Sequence, residues 1–468
     1  MRASLFPLAA VLIALGCSSS SADSSPRVIP PPDAGNDDSS DGSVVDAGPD
    51  VPTPPDPPLR CPVTIPVDTL ADKRGQCTFA AGAKVTDTLG VPKDVPSQLP
   101  IRHVIVLMKE NRAFDHLLFK LHDLQPDVEA VPDSFANDDT TGASIKAFHA
   151  TTTCIQYDPN HQWTAMHNSI DGGKMDGFVK SAAVTTGTDG HFAISHYEQS
   201  DVPFYYWLAS TWSIDDRHFS AARSGTSPNR LFMYLGTNDG VRSTDLTYPD
   251  PATPTLFDTL DKAAFSWGVY SDGELLSGTL NWDSSHRGAH TFADFLSALD
   301  AGTLPNVSFV DARDTVEDEH PTADVQVGEA WTRNVYEHLV KSPQWLRTAM
   351  IWTYDEGGGF ADHVPPPEKA CVARPGNPKD APYFELGVRV PFAVISPYAR
   401  PHHVSHVVAD HTAITRFIET VFDLPALTSR DGNSDALLDM FDFTTCPPPM
   451  ATPPGAVPEA GTKGCSRG

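Results

Sequence analysis

Glu110 and Asn111 close one apolar run of the chain, Asp355 and Glu356 close another, and His320 stands a few residues past a third. The runs are "HVIVLM" (103–108), "AMIWTYDE" (349–356) and "NVSFVDA" (306–312). Carboxylate, amide and imidazole groups gathered at one place are ligands for a hard divalent cation, and this set suits Ca²⁺, Mg²⁺, Mn²⁺ or Zn²⁺. Taken singly, each residue is better read as a helix cap or a solvated loop residue. The repetition at several strand ends argues for a site.

A second pattern supplies a nucleophile. In "SGTSPNR" (224–230) the Thr226 hydroxyl is followed by Pro228 and Arg230. The proline stiffens the turn, and a guanidinium one helical turn on can brace the hydroxyl or the oxygens of a tetrahedral anion. Thr-Ser-Pro-Asn is also ordinary turn chemistry, and Ser227 is a rival hydroxyl.

Groups so far apart in sequence need a scaffold that delivers them to one edge. Apolar strand-like runs, which also include 265–271 and 390–397, alternate with helical stretches at 291–302, 327–342 and 409–423, the last with Asp410 as its expected N-cap. Runs without polar alternation predict strands buried on both faces. The expected fold is therefore α/β, a largely parallel central sheet flanked by helices. In such sheets ligands bind beyond the carboxyl ends of the strands, where all three groups lie. No linker-like break interrupts 101–424, so one large domain is expected.

The chain has 468 residues and a formal charge of −27, which argues against nucleic-acid partners. Part of that charge sits in an Asp/Ser/Pro-rich stretch, 18–60, read as a disordered tether that cannot bury enough apolar surface to fold. Before it, Arg2, the apolar Leu5 to Leu15 and Gly16-Cys17 form an export signal too short to span a bilayer. A cysteine after glycine at that point resembles a bacterial lipoprotein lipobox; an ordinary cleaved signal is the competing reading. A lipidated Cys17 would anchor the tethered domain at a membrane of the cell envelope. Six further cysteines remain, with no CxxC pair, so up to three disulfides are expected in an oxidising compartment. The expected segments are a signal at 1–17, the tether at 18–60, an N-terminal extension at 61–100, the main domain at 101–445 and a Pro-rich tail at 446–468.

"IRHVIVLMKENRAFDH", "GGKMDGF" (172–178), "PFYYWLA" (203–209), "SGTSPNRLFMYLGT" (224–237) and "SWGVY" come in turn along the chain. "GTLPNVSFVD" (302–311), "EHP" (319–321), "TYDEGGGFADHVPPP" (353–367), "RVPFAVISPYAR" (389–400) and "DHT" (410–412) follow. Together they resemble the bacterial and plant phosphoesterase family that includes non-haemolytic phospholipases C and acid phosphatases, related in fold to alkaline phosphatases and sulfatases. The resemblance implies an alkaline-phosphatase-like fold and metal-dependent hydrolysis of a phosphate monoester or a phospholipid. It places Glu110, Asn111, Asp355 and Glu356 as metal ligands and Thr226 as the nucleophile approaching the same metal. It puts His161, His320 and His363 among the active-site histidines, with Arg230 in the nucleophile motif. His167, His286 and His411 carry no firm role.

Ala113, Ser224, Gly225 and Gly357 depart from the family pattern, but none removes an implied ligand. A sulfatase is disfavoured because Thr226 cannot become formylglycine. Phospholipase members often carry C-terminal β domains, and a chain ending soon after Cys446 tilts the expectation toward a phosphatase. The alternative from another class is a surface binding protein on a catalytically decayed hydrolase scaffold. Decay would strike Glu110, Asn111, Asp355 or Thr226 first, and all four are present.

Overall fold

A computed structural model describes residues 62–65, 67–244, 248–273, 279–280, 288–367 and 369–465. The export signal, Cys17, the tether and His286 lie outside the described residues.

Eight strands form the central sheet: β1 (His103–Lys109), β2 (Ser213–Asp215), β3 (Trp267–Tyr270), β4 (Ala289–His290), β5 (Val307–Val310), β6 (Thr348–Tyr354), β7 (Phe392–Ile395) and β8 (Val404–Ser405). Their order across the sheet is β8-β2-β7-β6-β1-β5-β3-β4. Only β7 opposes its neighbours; β6, β1, β5, β3 and β4 pair in parallel, as do β8 and β2. The expected α/β architecture is what forms. β1 and β6 are buried at every position, as runs without polar alternation require when helices cover both faces. Nothing in the run at 390–397 announced its reversed direction, because apolar content carries no sense of polarity.

The helices that matter here are α1 (Trp163–Ile170), α2 (Pro203–Thr211), α3 (Thr226–Leu235), α4 (Phe292–Ala301), α5 (Val325–Leu339) and α6 (Thr412–Phe422). Thr291 caps α4 through a reciprocal bond with Asp294, which sets its start. The expected cap of α6 is displaced by one residue. His411 is the N-cap, without a side-chain cap bond, while Asp410 just outside accepts from the Thr412 N–H at 2.7 Å. The other oxygen of Asp410 holds Arg430, 2.8 Å away.

The described part of the N-terminal extension packs on the main domain. Val85, Leu89, Val91 and Val95 share a small core with Ala436, and Cys77 is bonded to Cys371. Cys154 is bonded to Cys465, which fastens the Pro-rich tail; Cys446 is also disulfide-bonded. Among the described residues no helix is long and apolar enough to cross a membrane.

Candidate active site

The register of the sheet assembles the site. Lys109 and Tyr354 are partners across the parallel β1–β6 pair, so Glu110 and Asp355 leave the sheet at the same level. The Asp355 N–H donates to the Lys109 carbonyl at 3.0 Å, and the Asn111 N–H donates to Asp355 Oδ1 at 3.1 Å. On the other flank of β1, Leu107 pairs with Val310, and the chain beyond β5 returns so that the Glu110 N–H meets the Asp318 carbonyl at 2.9 Å. Three strand ends thus converge although they are distant in sequence.

Asn111 lies at the centre. One terminal atom of its amide is 3.0 Å from Glu110 Oε2, 3.2 Å from Asp355 Oδ1 and 2.8 Å from Glu356 Oε1; the other is 2.9 Å from His320 Nε2. With nitrogen toward the carboxylates these are hydrogen bonds. With oxygen there, four oxygens face one another and only a cation reconciles them. Thr226, at the first position of α3, donates its hydroxyl to Glu110 Oε2 at 3.1 Å. Ser227 makes no hydrogen bond to the cluster.

Charge balance also calls for a cation. Glu110, Asp355 and Glu356 are buried together, and Arg230 is the guanidinium beneath them. It donates to Glu110, to Asp311 at 3.3 Å and to the Met108 carbonyl at 3.3 Å, with its Nε 3.9 Å from Asp355 Oδ2. Even with His320 protonated beside Arg230, that many carboxylates leave an excess that a medium of low dielectric penalises. Burial accordingly pushes Glu110 up to about 7, against the Arg230 charge, which is the largest opposing influence, with Asp355 adding a smaller repulsion. Burial, then the Asp355 charge, drives Glu356 well above the usual carboxylate range. Asp355 Oδ2 is buried without a hydrogen-bond partner. An orphaned carboxylate oxygen among oxygen donors fits a divalent cation, so Glu110, Asn111, Asp355, Glu356 and Thr226 are a chemically suitable set for one.

The histidines divide. His161 and His320 have rings 5.9 Å apart, and each donates Nδ1–H to a prolyl carbonyl, Pro159 at 2.8 Å and Pro321 at 2.6 Å. Their Nε2 atoms face the cluster: His161 Nε2 is 3.8 Å from Glu356 Oε1. Burial holds His161 below the ordinary imidazole value. For His320 burial works in the same direction, but the Glu110 and Asp158 carboxylates outweigh it and raise the value. His363, expected with them, is bound elsewhere. Its Nδ1 meets Asp115 Oδ2 at 2.7 Å, and Arg389 joins Asp115 and Asp362 at 2.8 and 3.0 Å. Its polar contacts run to that buried network and to Glu129, 3.7 Å from Nε2, not to the carboxylate cluster. Arg230 holds Glu110 through Oε1, the carboxylate oxygen opposite the one that receives the Thr226 hydroxyl. His167 pairs with Glu385 at 2.9 Å. His411 donates Nε2–H to the Asp355 carbonyl at 2.5 Å, and burial lowers it to about 4, so it supports the ligand loop as a neutral ring.

Several participants carried no signal in the sequence. Asp158 in "YDPNHQW" reads as turn chemistry, yet its carboxylate lies with ligand atoms of His161 and His320 inside a 4.8 Å group. Nothing in the sequence marks Asp311, inside the run 306–312, as a partner of Arg230. A side chain at Gly357, one of the departures from the family pattern, would have its Cβ 2.3 Å from Val388 Cγ2.

The model of the Phosphoesterase family matches residues 101–425. Non-specific phospholipase C1 of Arabidopsis thaliana is 31% identical over 373 residues, which are 71% of this chain and 69% of that protein. Non-specific phospholipase C3 of the same plant is 29% identical over 75% of this chain and 76% of its own length. Phospholipase C A of Mycobacterium tuberculosis (strain ATCC 25618 / H37Rv) is 31% identical over 76% of this chain and 79% of that protein.

Proposed function

Since the chain belongs to the phosphoesterase family and is a hydrolase acting on phosphoric ester bonds, we propose that Thr226 is its nucleophile and that a divalent cation held by Glu110, Asn111, Asp355, Glu356 and Thr226 is its cofactor. The observation that carries this reading is the Thr226 hydroxyl at 3.1 Å from Glu110 Oε2, inside the carboxylate cluster and at the start of a helix. When bound, such a cation lowers the pKa of a hydroxyl and offsets phosphate charge.

The residues of the chain supply the rest. Glu110, ionised, accepts the hydroxyl hydrogen and orients the oxygen toward phosphorus. The N-terminus of α3 directs backbone N–H groups and the positive end of its dipole at an incoming phosphate. Thr226 Oγ1 forms a bond to phosphorus as the ester P–O bond breaks, and His320, once its Nε2 leaves the amide nitrogen that a cation-bound Asn111 turns toward it and takes up a proton, gives that proton to the departing alkoxide. Water, giving a proton to the now neutral His320, then bonds to phosphorus as the P–O bond to Thr226 breaks, and the threonine oxygen takes back the proton that Glu110 received from it. His161 lines the same space as a neutral ring that can hydrogen-bond a phosphoryl oxygen. Arg230 fixes Glu110 in place, and we assign it a supporting role. His363 stands in its own network and takes part at most through the loop it orders.

The relatives are named as phospholipases C, and we infer the same substrate class here, a phospholipid cleaved on the glycerol side of phosphorus. A soluble phosphate monoester is the second reading. Turnover of phosphatidylcholine against p-nitrophenyl phosphate by one purified sample separates the two. The intact carboxylate cluster counts against a decayed scaffold. For location we propose an exported lipoprotein held to the cell envelope through Cys17, on the strength of the apolar signal, Gly16-Cys17 and the acidic tether.

A further inference from the structure

One residue before His320 stands a carboxylate that the chemistry above leaves unused. Glu319 is wholly buried, takes the Tyr205 hydroxyl on Oε1 and the Tyr354 hydroxyl on Oε2 at 2.6 Å, and has Lys109 Nζ 3.2 Å from Oε1. Lys109, the last residue of β1, is equally buried and donates to the Glu317 carbonyl and to the Gly328 carbonyl at 3.2 Å. The end of β1, the end of β6 and helix α2 therefore meet on one side chain. A buried ion pair is weak support for stability, since apolar residues of similar volume serve a fold as well or better. This pair calls for another reason.

The backbone points to it. Glu319 has φ +77°, in the left-handed region that a residue with a β-carbon avoids. Gly328 leaves the space that its side chain fills, for a Cβ there would lie 2.2 Å from Glu319 Cγ. Arg112 donates to the Glu319 carbonyl at 2.6 Å, and the His320 N–H donates to Asp318 Oδ1 at 3.0 Å. A strained backbone persists only where its surroundings over-determine it. Here every restraint bears on the segment that carries His320 to 2.9 Å from Asn111.

We propose that Glu319 is a positioning residue for His320: the buried Lys109–Glu319–Tyr205–Tyr354 cluster sets where the imidazole stands relative to the departing oxygen. The inference rests on the reading of His320 as the acid. It predicts that loosening the cluster harms only the step that needs a placed proton.

The test compares p-nitrophenyl and alkyl esters of one phosphoryl group, phosphate or phosphocholine, whichever the enzyme turns over. Tyr354→Phe removes one hydroxyl donor and leaves the charges paired. A double variant, Lys109→Met with Glu319→Gln, removes both charges so that neither is stranded if a single change fails to fold. His320→Ala is the reference. The expected result is near-normal turnover of the aryl ester, KM unchanged, and a kcat loss of about tenfold or more on the alkyl ester, given how steeply rate falls with misplacement. Equal losses on both esters, or no loss on the alkyl ester, while His320→Ala discriminates, would overturn the positioning role alone. A His320→Ala enzyme that fails to discriminate would remove the acid assignment itself, and the inference with it.

Discussion

The Thr226 hydroxyl donates to Glu110 Oε2 at 3.1 Å across 116 positions of sequence. That bond joins the first turn of α3 to the residue immediately after β1, so the proposed nucleophile and its carboxylate are held by two rigid elements rather than by loops. The predictions below depend on how that junction is charged.

Exhaustive chelation should abolish turnover and lower the melting temperature, because the carboxylates would then face one another with Arg230 as their partner. Readdition of a divalent cation at about 100 times its dissociation constant should restore roughly 2.7 kcal/mol of stability. The rise should vanish in Asp355→Asn. Full activity and an unchanged melting curve after chelation would remove the cation from the account.

Arg230→Met strands Glu110 and Asp311 without their guanidinium. Breaking a buried pair by deleting one partner costs about 3–5 kcal/mol, which urea unfolding would report. A loss below about 1 kcal/mol, within the range of an exposed pair, would show that the pairing contributes little.

Much of this site was legible in the sequence because strand ends and short motifs are local. "HVIVLM" and "AMIWTYDE" announced buried strands, and their ends delivered Glu110, Asn111, Asp355 and Glu356 to one edge. What stayed hidden depends on register and burial. Nothing in sequence says that Lys109 pairs with Tyr354, or that a lysine closing a strand turns inward to Glu319. Strands as short as β2 and β8 carry too few residues for a period to show. His363 is held instead by Asp115, 248 residues away, and by Arg389, contacts that nothing in its motif announces.

His320→Ala should spare the p-nitrophenyl ester, whose leaving group departs without a proton. On an alkyl ester the loss should reach about 10²–10⁴-fold, the usual contribution of a placed acid. Matching losses on the two esters would reduce His320 to a phosphate-binding or structural residue.

Cys17→Ser should shift the protein from the membrane fraction to the soluble envelope fraction, and mass spectrometry of the wild-type N-terminus should find a lipidated cysteine. An unmodified N-terminus elsewhere, with unchanged fractionation, would mean ordinary secretion.

The most direct measurement concerns the nucleophile. Enzyme mixed with a p-nitrophenyl ester of the phosphoryl group that it turns over, quenched in acid within the first turnovers and digested, should yield one peptide phosphorylated or phosphocholine-modified at Thr226. Thr226→Ala should lack both the adduct and turnover while keeping its fold and its cation-dependent melting temperature, and Ser227→Ala should retain all of them. An adduct on Ser227, or an active Thr226→Ala enzyme, would contradict the account.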